Sequence, residues 1–148
     1  MPPTPNPTVV VGVDTSPAAR AAARWAARMA QRLQGELVVV HAPEPPAAST
    51  FPAVPKAEAL ERAFPDELAA ELEADQNVVV RRELAPDGPV SALLDASADA
   101  QLLVLGRPRG RVANWPTPSS TTRRVLDRSA CPVVLVREDQ MPPGPAGD

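Results

Sequence analysis

Short β-branched runs alternate with longer amphipathic stretches along most of the chain. TVVVGVD (8–14) and ELVVVHA (36–42) are almost unbroken apolar runs, the pattern of strands buried on both faces. Between them, SPAARAAARWAARMAQRLQG predicts a helix, with Ser16 as N-cap, Pro17 at its first position and an end at Gly35. Lys56 to Asp75 has helical spacing, but Pro65 interrupts it, so PDELAAELEA is the firmer piece. NVVVRREL (77–84) reads as a strand with one wetter end. DGPVSALLDASA (87–98) reads as a short helix capped by Asp87, and QLLVLG (101–106) as the most apolar strand. Ser119 to Ser129 forms a last helix and CPVVLVR (131–137) a last strand. Five strands alternating with four helices predict an α/β domain whose parallel sheet is covered on both faces.

Twenty prolines would contradict that reading if they fell inside the periodic segments. They gather instead in the two ends (1–7 and 139–148), in APEPPAASTFPAVP and in the 108–118 loop. The ends are expected to be disordered tails around one domain over 8–138. At 148 residues, 44% of them hydrophobic, that domain has enough apolar side chain for a real core.

A net charge of −3 argues against broad nucleic-acid binding. Cys131 is alone and His41 is the only histidine, so neither an internal disulfide nor a structural zinc site can be built. No apolar run reaches the roughly 18 residues of a membrane span. MPPTPNPT has neither the basic region nor the apolar run of a signal peptide, so a cytoplasmic location is expected.

Four stretches in order and spacing resemble the universal stress protein family: VVVGVDTSPAARAAARWAARMA, LVVVHA, LLDASADAQLLVLG and VLDRSACPVVLVR. The resemblance covers about residues 8 to 138. It implies a three-layer, doubly wound sheet of order 3-2-1-4-5, the Rossmann-like fold of the adenine nucleotide alpha hydrolases. Right-handed crossovers then place helices 1 and 2 on one face and helices 3 and 4 on the other. The winding reverses between strands 1 and 4, which opens a crevice at their carboxyl ends, where Asp14 and Gly106 are expected.

ATP-binding members of the family carry a glycine, two residues, a second glycine, nine residues, and then Gly-Ser or Gly-Thr. Counted from Gly106, the spacing survives, but Arg109 and Ser119 stand at the second and third glycines, with Ser120 after them. Phosphate oxygens approach bare backbone closely, often at positive φ, so a Cβ at Arg109 obstructs that cradle. An arginine could instead donate to a phosphate from its side chain, and both readings stand at this point. Ser119 suits an N-cap, and Ser120, Thr121 and Thr122 offer hydroxyls and amides at the start of the last helix.

The resemblance also assigns Asp14 to the ribose or metal side of a nucleotide, against a plain helix cap. It assigns the Ala42 backbone to adenine, and Gly12 to the pocket lining. Trp115 reads either as a loop anchor or as a stacking platform for a base. The expected ligands are therefore AMP or ADP, with ATP weak or lost, in a regulatory stress-response protein and not an enzyme, since no general base stands out. The alternatives are a nucleotide-free dimeric scaffold for a protein partner, and an ATP binder in which Arg109 replaces the backbone contact.

Three further features read as structural. His41 is expected to be a packed or capping histidine and Cys131 an inert core residue. Arg20, Arg24, Arg28 and Arg32 form a stripe facing the acids of the second helix, as solvated cross-helix pairs or as a docking patch. The 131–137 strand, an edge in the family order, predicts a homodimer.

Overall fold

A computed structural model describes residues 7–13, 17–41, 66–74, 78–84, 89–107 and 120–139. Its strands are β1 (Thr8–Val13), β2 (Glu36–His41), β3 (Val79–Leu84), β4 (Leu102–Arg107) and β5 (Val133–Arg137). The helices are α1 (Pro17–Leu33), α2 (66–74), α3 (Pro89–Ser97) and α4 (Ser120–Arg128). The sheet has order β3-β2-β1-β4-β5, and every neighbouring pair is parallel. Both the order and the parallel winding agree with the sequence reading.

Strand alternation divides the core into two layers. Val9, Val11, Leu37, Val39, Val104 and Val136 point toward α1 and α2, where Leu68 and Leu72 close the layer. Val10, Val38, Val40, Leu103 and Leu105 point the other way, under Leu93 of α3 and Val125 of α4. The helix pairs thus lie on the faces that right-handed crossovers require.

α1 meets the sheet through alanine alone at its fully buried positions: Ala18, Ala19, Ala22, Ala23, Ala26, Ala27 and Ala30. Such short side chains let the helix axis come close to the strands, with Trp25 and Met29 packing at the margin. On the outer flank, Glu71 of α2 accepts from two members of the arginine stripe. Arg20 Nη1 lies 3.0 Å from its Oε2 and Arg24 Nη2 2.7 Å from its Oε1. The cross-helix pairing is present, and its members are only partly buried.

The boundaries differ from the sequence reading in places that have physical causes. β1 and β2 are described to Val13 and His41; Asp14 and Ala42, which the sequence reading also placed in these runs, lie outside the described residues. β4 extends past Gly106 because Arg107 finds a ladder partner in Arg137. β5 begins only after Pro132, which has no amide to donate but whose carbonyl accepts from the Leu103 amide at 2.9 Å. α3 runs from Pro89, a favoured first helical residue, and its expected cap, Asp87, lies outside the described residues.

The end of α1 is closed by two backbone bonds: Gly35 N to Ala30 O at 2.9 Å and Gln34 N to Gln31 O at 3.1 Å. That is a Schellman motif, with Gln34 in the left-handed position at φ 58°. Gly35 serves a different purpose, since a Cβ there would lie 2.1 Å from the Pro7 carbonyl oxygen.

Candidate functional site

The sheet reverses its winding between β1 and β4, so their carboxyl ends diverge into a crevice. Gly12 and Leu105 are Cα partners, which sets Val13 and Gly106 at its floor. His41, level with Val13 on β2, borders it on one side. The first turn of α1 and the first turn of α4 also point to this end of the sheet, and neither contains an acid. Amide-rich helix starts without carboxylates favour an anion.

Gly106 carries no side chain for a reason internal to the fold. A Cβ there would sit 2.6 Å from both the carbonyl carbon and oxygen of Ala18, and 2.8 Å from the Ala19 nitrogen. These are backbone atoms of α1, held by the alanine seat, and they cannot swing aside. The residue that the resemblance makes the first glycine of a phosphate motif is therefore demanded by strand–helix packing whether or not a phosphate binds.

Gly12 faces the opposite layer. A Cβ there would meet Leu93 Cδ2 at 2.7 Å and Leu105 Cδ2 at 3.0 Å, both ends of flexible side chains. Its missing side chain makes room for α3, so its direct contribution to the crevice is main chain.

Of the other expected site residues, Asp14, Ala42, Arg109 and Ser119 lie outside the described residues, as does Trp115. Ser120 and Thr121 are the first two residues of α4, and Thr122 is half-buried in the same turn. The structure thus brings Gly12, Gly106 and the α4 start to one end of the sheet. Among the described residues, no group of three or more His, Cys, Asp or Glu side chains could hold a metal ion. No helix among them is long and apolar enough to cross a membrane.

His41 is 3% exposed, and its Nδ1 lies 3.2 Å from the Val13 carbonyl oxygen. Packing of this histidine was legible in the sequence; its bond to the end of β1 was not. The run of alanines in α1 did signal close packing, but not which strand residue would have to be glycine to receive it.

A five-stranded parallel sheet in this order, with paired helices on each face, is the adenine nucleotide alpha hydrolase-like fold. Residues 5–137 match the model of the universal stress protein family, and the chain belongs to that family. It is 35% identical, over an alignment 152 positions long, to universal stress protein Rv2623 of Mycobacterium tuberculosis. That match takes in 93% of this chain and 50% of the relative, so the chain spans about half the relative's length. A crystal structure of a universal stress protein in complex with cAMP superposes with TM-score 0.68 at 23% identity, covering 92% of this chain and 100% of that one. The universal stress protein of Archaeoglobus fulgidus in complex with dAMP superposes with TM-score 0.62 at 19% identity, covering 88% and 97%.

Proposed function

We propose that this chain is a regulatory stress-response domain, not an enzyme, whose crevice accepts the adenosine of AMP or ADP while ATP binds weakly or not at all. One observation carries the reading. Only one of the three motif glycines is retained, and that one, Gly106, is required by the Ala18–Ala19 backbone for packing. Its presence is therefore no sign of a maintained phosphate cradle. The other two motif positions, where bare backbone would admit phosphate, carry Arg109 and Ser119.

The adenosine side has kept more. Asp14 and Ala42 follow directly on the ends of β1 and β2, where the resemblance assigns contacts to ribose and adenine. Two proteins of similar fold are seen with cAMP and dAMP, each carrying a single phosphate, and this supports the monophosphate reading. Comparing AMP, ADP and ATP by thermal shift, in the natural sequence and in an Arg109→Gly, Ser119→Gly double variant, tests it.

A second reading is favoured by β5. Val133, Val134 and Leu135 on this edge strand are each only half-buried in the single chain. An apolar edge of that kind invites another strand, and a two-fold copy is the simplest closed partner. On this reading the domain is a dimeric scaffold for a protein partner, and the crevice is incidental.

A further inference from the structure

His41 and Val13 are Cα partners and the last residues of their strands. A carbonyl oxygen can only accept, so the 3.2 Å contact between His41 Nδ1 and Val13 O requires the proton on Nδ1. In the neutral ring, Nε2 then holds a bare lone pair. It is buried and has no hydrogen-bond partner among the described residues. Leucine would fill the same volume, so what distinguishes an imidazole at this position is its polar ring atoms. What the ring adds, among the described residues, is its bond to the Val13 carbonyl, made at the last described pair of the β1–β2 ladder.

We propose that His41 is a positioning residue of the crevice: its Nδ1–H clamps the end of β1 to the end of β2 and so holds in place the two strand ends that border a bound adenosine. The role rests on the adenosine reading above. It acts through the main chain of two strands and asks for no contact between the ring and the ligand.

Because His41 is the only histidine in the chain, its ring signals in a ¹⁵N spectrum are unambiguous. The spectrum of the ligand-free protein should show a protonated Nδ1; a proton on Nε2 alone would overturn the clamp. His41→Leu keeps the volume and removes the donor, whereas His41→Asn keeps a donor at the same distance from the backbone. In His41→Leu, amide exchange should accelerate at the carboxyl ends of β1 and β2 and stay unchanged at Val9 and Leu37. AMP affinity, read by calorimetry, should fall about tenfold or more in His41→Leu and return to within about threefold in His41→Asn. If the unmodified protein binds AMP and His41→Leu binds it equally well, the positioning role is wrong while the adenosine reading stands. If the unmodified protein binds no AMP, the adenosine reading fails and takes this role with it.

Discussion

Gly106 and Ala18 are fitted to each other through main chain: a Cβ on the strand residue would lie 2.6 Å from the carbonyl carbon and oxygen of the helix residue. Gly106→Ala should therefore destabilise the ligand-free protein, by about 1–3 kcal/mol as overpacking generally does. In a domain of this size that lowers the melting temperature by on the order of 3–10 °C. Adding Ala18→Gly should give no rescue, because the obstruction is backbone and not the Ala18 methyl. An unchanged melting temperature in Gly106→Ala would return this glycine to the phosphate site as its main employment.

The end of α1 separates two uses of neighbouring residues. Gln34 holds the left-handed conformation at φ 58°, so Gln34→Gly should stabilise the protein by roughly 1 kcal/mol. Gly35→Ala should do the reverse, since its Cβ would sit 2.1 Å from the Pro7 carbonyl oxygen. Urea denaturation of the two variants checks both signs. The opposite pair of signs would mean that Gly35 supplies the left-handed residue and Gln34 does not.

These two sites mark how far the sequence could be read. The strand and helix order was legible because valine runs and alanine–arginine periodicity are local signals, and handedness then places the helices. The stop of α1 near Gly35 was legible too, since helix ends collect glycine. The left-handed conformation at Gln34 and the reason for glycine at 35 and 106 were not. Glutamine is not a residue that marks a left-handed helix end, and the two glycines depend on another segment's backbone arriving within 3 Å, which no local pattern records. The same holds for His41, whose bond joins residues 28 positions apart in sequence.

Glu71 serves two arginines at once, accepting from Arg20 at 3.0 Å and from Arg24 at 2.7 Å. All three side chains are partly exposed, so solvent screens the pairs. Glu71→Gln should cost no more than about 1 kcal/mol at low salt, and the loss should shrink in molar salt. A loss of several kcal/mol that persists in salt would contradict the view of this stripe as a solvated helix flank.

The half-buried residues of β5 predict association. The unmodified chain should run as a dimer in light scattering at tens of micromolar protein, on the order expected for an apolar edge. Val134→Lys should shift it toward monomer with unchanged far-ultraviolet circular dichroism. A monomeric unmodified chain would remove the dimeric scaffold as a reading of function.

The measurement that bears most directly on the crevice is the thermal shift with nucleotide, with and without the two restored glycines. A ligand at a hundred times its dissociation constant adds about 2.7 kcal/mol, or on the order of 5–10 °C at this size. The natural sequence should show much less than that with millimolar ATP and magnesium, and AMP should do no worse than ATP. Arg109→Gly with Ser119→Gly should recover the ATP shift, despite a weaker start to α4. The account is contradicted if the natural sequence already gives the full ATP shift and Arg109→Ala abolishes it, because Arg109 would then hold the phosphates with its side chain.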